Sequence, residues 1–231
     1  MKRKYLVLAL AATIPMAMHA TASAQVVNTT VRAGAITQAN SGTANLNQAA
    51  IGSAVGRTGN LNTSVSFGSL LQSNGGFANR NQANIGSATG TTSAWTAVVT
   101  GSGRVTQINS GQRNTNELNV ASIVGSAVTN AVSNVNLGNV TQTNRGAFNR
   151  NRANIGSAVG GARVGNFNAV ASVGNLVQTN TGRVNSNQAD IASVNGRTVG
   201  SFTSNVVVGT VRQANNGRGN RNQLSLGSVT K

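Results

Sequence analysis

The chain has 231 residues, a formal net charge of +16, 9% charged residues, 3% aromatics, 28 glycines and no cysteine. So few large apolar side chains argue against a conventional globular core. Without cysteine there is neither a disulfide framework nor a thiolate metal site, so packing and hydrogen bonding must hold the fold.

Lys2, Arg3 and Lys4 open the chain, an apolar run extends from Tyr5 to Met18, and Ala22-Ser23-Ala24 forms an A-x-A cleavage pattern. Together they read as a secretory signal peptide over residues 1–24, with the mature chain starting at Gln25. A retained membrane anchor is the alternative, disfavoured by the short run. His19, Pro15, Tyr5 and all three methionines lie in this leader, so the remainder has no histidine, proline, tyrosine or methionine. Beyond the leader, 15 basic residues face 2 acidic ones, a net of +13. Those two acids, Glu117 and Asp190, fall in different repeats at different columns. General-base chemistry on histidine, a catalytic carboxylate pair and an acidic calcium site therefore lack residues, and the expectation is a non-enzyme with no cofactor, no metal and no small-molecule substrate.

From residue 36 onward one phrase, Q-x-N-x-G-x-x-N-x-N-(Q)-A-x-I-G-S, occurs six times, starting at Gln38, Gln72, Gln107, Gln142, Gln178 and Gln213, at spacings of 34, 35, 35, 36 and 35 residues. A fixed period in this range signals a solenoid, whose units must stack to bury their apolar faces. Residues 25–35 read as a lead-in and 36–231 as the repeat domain.

Within each unit a short strand carries Val140, Gln142 and Asn144 on one face. A turn follows around a glycine suited to positive φ, at Gly42, Gly76, Gly111, Gly146, Gly182 and Gly217. In the second strand Asn149, Asn151, Ala153, Ile155, Ser157 and Val159 alternate with Arg150, Arg152, Asn154 and Gly156, which predicts one buried face and one exposed face. A weaker third strand, with Leu61, Thr63, Val65 and Phe67 or Phe202, Ser204, Val206 and Val208 inward, ends before a glycine at Gly68, Gly101, Gly138, Gly174 or Gly209. The one insertion after it lies at Ser102 to Arg104.

In-register stacking places identical residues about 4.8 Å apart, where primary amides can join into ladders. The expected ladder columns are the six glutamines; Asn45, Asn79, Asn114, Asn149, Asn185 and Asn220; and Asn47, Asn81, Asn116, Asn151, Asn187 and Asn222. Asn40 and its counterparts, and a serine column from Ser53 to Ser228, also repeat in all six copies. A solvated polar face is the alternative. The arginines are expected outside. Arg80, Arg150 and Arg221 recur in alternate layers of one column whose other members are Leu46, Thr115 and Ser186, which would keep like charges about 9.6 Å apart. With Arg145, Arg152 and Arg183 they are candidates for an anionic surface, namely extracellular DNA, lipopolysaccharide or acidic polysaccharide, solubility being the plainer role.

The repeated core resembles the subunits of bacterial functional amyloids, the curlin and Fap-type fibre proteins. Curlin repeats carry Q-x-G-x-x-N-x-A, against Q-x-N-x-G-x-x-N-x-N-(Q)-A here, with a turn two residues longer. The period is closer to the Fap repeat, but the cysteine pair of that subunit is missing. The resemblance implies a secreted subunit that polymerises head to tail with itself into fibres of the biofilm matrix at the cell surface. An outer-membrane secretion pore and a related fibre subunit would be its partners. The sequence thus leads to an all-β fold, a β-solenoid of about six three-strand repeats, in a fibre subunit. A monomeric β-solenoid adhesin or anionic-polymer-binding surface protein is the competing reading. Ice binding lacks a regular Thr-x-Thr ladder, and a transmembrane barrel lacks an apolar outer band.

Overall fold

The computed structural model describes residues 26–230, and the leader reading at 1–24 lies outside them. Long and short strands alternate. The long ones are β1 (Val26–Thr43), β3 (Ala54–Phe77), β5 (Ala88–Ser110), β7 (Ile123–Arg145), β9 (Ala158–Thr181) and β11 (Val194–Asn216). The short ones are β2 (Leu46–Ile51), β4 (Arg80–Ile85), β6 (Thr115–Val120), β8 (Arg150–Ile155), β10 (Ser186–Ile191) and β12 (Arg221–Leu226), and the two-residue β13 (Val229–Thr230) follows. No helix occurs among the described residues. The long strands and β13 form one parallel sheet and the short strands a second, each in chain order, so the chain winds as a β-solenoid.

The register follows the repeat. Gln38 lies beside Gln72, Gln72 beside Gln107, Gln107 beside Gln142, Gln142 beside Gln178 and Gln178 beside Gln213. The third strand of one unit and the first strand of the next run on as one long strand. Its inward set, Leu61, Val65 and Phe67 before the join and Leu70, Gln72 and Asn74 after it, changes phase at Gly68 and Ser69. That phase change makes one hydrogen-bonded strand read as two in the sequence.

Glycines stack at this join. A Cβ on Gly103 would come within 2.2 Å of the Gly68 carbonyl oxygen, and one on Gly138 within 2.5 Å of that of Gly103. The stacked column thus contains Gly103. Gly101, expected there, instead pairs with Phe67 and Leu137, and a Cβ on it would meet the Phe67 ring at 2.6 Å. The insertion at Ser102 to Arg104 appears as a register shift between Gly101 and Arg104. Residues 26–33, set apart in the sequence as lead-in, pair with residues 60–67 as the first part of β1.

The core divides into two compartments. The apolar one contains Leu61, Trp95, Ala131 and Phe167 stacked as one column, in which the small Ala131 accommodates its large neighbours. The Phe167 ring stacks on Phe202 at 5.7 Å. Each large apolar side chain fully buried here contributes about 1.5–3 kcal/mol. The second compartment, between the later half of the long strands and the short strands, is filled with amides.

Two corners flank each short strand. At the first, the six turn glycines have φ between +107° and +119°. A non-glycine residue two positions later is left-handed in five copies: Ala44, Ala78, Arg113, Phe148 and Val184. At the second, Gly52, Gly86, Ala121, Gly156, Ala192 and Gly227 also have positive φ.

Candidate functional site

The glutamine column is a continuous ladder, buried at Gln72, Gln107, Gln142 and Gln178 and half-buried at Gln38 and Gln213. Each Nε2 donates to the Oε1 of the preceding copy: Gln72 to Gln38 at 2.7 Å, Gln107 to Gln72 at 2.8 Å, Gln142 to Gln107 at 2.7 Å, Gln178 to Gln142 at 2.8 Å and Gln213 to Gln178 at 2.8 Å. The same Nε2 also reaches across the interior to a short-strand carbonyl ten residues on, as from Gln142 to Arg152 at 2.7 Å. One side chain therefore joins neighbouring coils and ties the two sheets together.

The Asn47 column runs with the opposite polarity. Asn151 Nδ2 donates to the following copy, to Asn187 Oδ1 and Asn180 Oδ1, both at 3.0 Å. Its Oδ1 accepts from Asn116 at 2.9 Å and from Asn144 at 2.7 Å. Asn47, Asn81, Asn116 and Asn187 repeat the forward donation. With two donors and two acceptors used, this buried amide avoids the roughly 1–3 kcal/mol cost of an unsatisfied polar group.

The Asn45 column departs from the expected amide-to-amide ladder. Here the side-chain Oδ1 accepts the backbone N–H of the same residue one coil earlier: Asn79 from Asn45, Asn114 from Asn79, Asn149 from Asn114, Asn185 from Asn149 and Asn220 from Asn185, at 2.8–2.9 Å. The left-handed residue before each asparagine turns that N–H out of the main-chain ladder, and the side chain supplies the acceptor it needs. The Nδ2 atoms of Asn45, Asn79, Asn114, Asn149, Asn185 and Asn220 are buried without a partner.

Three further columns belong to the network. The Asn40 column, visible in the sequence through its sixfold identity, donates to the Asn47 column within each coil, as from Asn144 to Asn151. The Ser column accepts backbone N–H groups between coils, as Ser157 Oγ does from Ser193 at 3.1 Å. A column whose alternation predicts exposure is buried instead, with Asn154 donating to Asn119 at 2.6 Å and Asn119 to Asn84 at 2.8 Å.

That last column meets an acid at Asp190, which lies beside Asn154 in register. Asn154 Oδ1 and Asp190 Oδ1 are both buried without partners, and Gln188 donates to the other carboxyl oxygen at 2.8 Å. Burial raises the carboxyl pKa above its ordinary value, against the pull of the Gln188 hydrogen bond and the Arg152 charge. The folded chain therefore holds this proton to higher pH than the unfolded chain. The resulting stabilisation is complete below the ordinary carboxylate pKa, about 4, and is lost as pH rises through the raised value. Asp190→Asn supplies a permanent donor toward Asn154. It is expected to remove this pH dependence and to stabilise the fold at pH 7 by about 1–3 kcal/mol. Urea midpoints of both chains across this range test it, and parallel profiles would reject it.

The six arginine candidates occupy two surfaces. Arg80, Arg150 and Arg221 are exposed and Arg152 half-buried on the short-strand sheet, whereas Arg145 and Arg183 are exposed at the first corner. Arg80 pairs with Glu117. Arg80, Arg150 and Arg221 do stand in alternate layers, beside Leu46, Thr115 and Ser186. Arg152 fills part of that spacing: it and Arg150 both donate to Gln188 Oε1, at 3.2 and 3.4 Å. Burial, then the Arg152 charge, lowers the Arg150 pKa from its ordinary value, with Glu117 opposing. Arg104 and Arg212, not among those six, flank a shallow groove lined by Asn139, Thr141, Asn175 and Thr210. No cluster of three or more metal-ligating side chains occurs among the described residues.

No protein-family model, curated protein or solved structure matches this chain.

Proposed function

We propose that this chain is a secreted structural subunit that assembles head to tail with copies of itself into extracellular cross-β fibres, in the manner of curlin and Fap-type proteins. Such fibres would serve biofilm matrix and surface adhesion, with a secretion pore and a related fibre subunit as partners. The observation that carries the reading is the uniform polarity of the buried columns. From Gln72 to Gln213 each glutamine donates backward, and from Asn47 to Asn187 each residue of the Asn47 column donates forward, so each coil interface repeats the last. An interface that repeats within a molecule can also form between molecules, with unpaired strand edges as the template.

The test is assembly of residues 25–231 after dilution from denaturant. Fibres with reflections near about 4.7 and 10 Å are expected. A species that stays monomeric in light scattering for days at micromolar concentration would favour the monomeric adhesin.

The exposed arginines support a second role, binding of extracellular DNA, lipopolysaccharide or acidic polysaccharide. Retention should weaken as salt rises, because neutralised phosphates release counterions. Replacing Arg145, Arg150, Arg152 and Arg183 with glutamine should flatten the salt slope while the cross-β reflections persist. A slope unchanged by these substitutions leaves the charge with solubility alone.

A further inference from the structure

The first corner forms an arch along one edge of the solenoid, joined between coils by backbone hydrogen bonds from Ala78 to Gln112, Arg113 to Ala147, Phe148 to Arg183 and Val184 to Arg218. Phe77, Phe148 and Val184 are exposed on it at 41%, 55% and 53%. Arg113, Arg145, Arg183 and Arg218 are exposed beside them. Both acids of the described chain lie elsewhere: Glu117 in β6, paired with Arg80, and Asp190 buried in β10.

The fold does not ask for large residues here. The left-handed position of the arch holds Ala44 and Ala78 in the first coils and Gly219 in the last, but Arg113, Phe148 and Val184 between them, at φ of 57°, 60° and 55°. A β-branched residue in this region is an outlier, because left-handed backbone brings the Cβ of an L-residue too close to the following carbonyl oxygen. The chain bears that strain while turning two of these side chains, Phe148 and Val184, into solvent as apolar surface. Strain kept without a packing return points to a role outside the fold.

We infer that this arch docks on an anionic lipid surface, the arginines meeting headgroup phosphates while Phe77, Phe148 and Val184 enter the acyl boundary. Interleaved cations and apolar side chains match that interface, where both kinds of contact add. A single-stranded nucleic acid fits less well. The Arg113 guanidinium lies 5.4 Å from the centroid of the Phe77 ring and covers that face, and Val184 cannot stack on a base. The inference deepens the anionic-partner reading above by naming its surface and ligand class, and it does not depend on fibre formation.

The test uses the full chain before fibres form. The absence of cysteine lets Ala147→Cys carry a single polarity-sensitive fluorophore on the arch, with Asn28→Cys as the label on the long-strand sheet. Because the apolar run at 5–18 is common to every variant, the local label is the primary readout. With phosphatidylglycerol/phosphatidylcholine vesicles the arch label should shift to the blue and be quenched by nitroxide lipids, and the sheet label should not. Vesicles of phosphatidylcholine alone should give a much smaller shift. Phe148→Gly with Val184→Gly, which relieves strain and so should not unfold the chain, should weaken the vesicle-induced response about tenfold. Val98→Ser with Val207→Ser removes two exposed valines from the long-strand sheet and should leave it within twofold. An arch label silent to anionic vesicles, or equal losses in the two double variants, would overturn the inference. A DNA-induced arch shift as large as the lipid one, with the same dependence on Phe148 and Val184, would replace it with a nucleic-acid surface.

Discussion

Replacing Gln142 and Gln178 together by lysine should collapse the stack at its centre. Three consecutive ladder bonds depend on these side chains: Gln142 to Gln107, Gln178 to Gln142, and Gln213 to Gln178. Lysine donates but cannot accept, so Gln213 Nε2 keeps its bond to the Gln223 carbonyl but loses its ladder acceptor, while two ammonium groups about 4.8 Å apart are pressed into a buried compartment. Burying a charge without a partner costs several kcal/mol, and two like charges in adjacent layers add repulsion. The urea midpoint should fall by more than any surface change achieves, and fibre growth should be delayed or abolished. Arg150→Gln with Arg221→Gln is the matched control: it removes charge from an exposed column and should assemble at least as quickly. Equal behaviour of the two double mutants would show that the glutamine column is not the buried one.

A single methyl group at the first corner should be nearly as damaging. Gly146 has φ of +114°, and a Cβ built on it would fall 2.0 Å from the carbonyl oxygen of Gly111 in the preceding coil. The same contact recurs in the next coil, where a Cβ on Gly182 would reach within 2.2 Å of the Gly146 oxygen. Gly146→Ala combines backbone strain with overlap against main chain, which cannot rotate away. Together these are expected to cost about 3 kcal/mol or more. Gly34→Ala is the contrasting case, for its Cβ would meet nothing within 4 Å and its φ is not positive, so a change within about 0.5 kcal/mol is expected. If the two substitutions shift the denaturation midpoint equally, the close stacking of the turn glycines is not what sets the coil spacing.

Both expectations rest on columns that are legible in the amino-acid sequence. Identity at a period near 35, together with strand alternation, points to an inward glutamine column and an inward Asn47 column, turn glycines at positive φ and a β-solenoid; the structure buries both columns in the inner coils, leaving Gln38 and Gln213 half-buried and Asn222 exposed at the ends. Those inferences hold because identical residues at one register position must share one environment, and an in-register amide has its own copy as the nearest partner. The corners were a different matter. Alternation reports which side of a local strand a residue occupies, but where the chain bends both sides can be enclosed. Asn84, Asn119, Asn154 and Asp190 are therefore buried on a side that alternation assigned to solvent. The Asn45 column looked like another amide ladder, and only the backbone path through the arch shows that its oxygen serves a main-chain N–H. Likewise, the phase change at Gly68 concealed one continuous strand, and the grouping of Arg113, Phe148, Val184 and Arg218 on one edge exists only after stacking. Period and column identity can be read directly from the residues, whereas which side of each bend is closed depends on coils about 35 residues away and so emerges only when they stack.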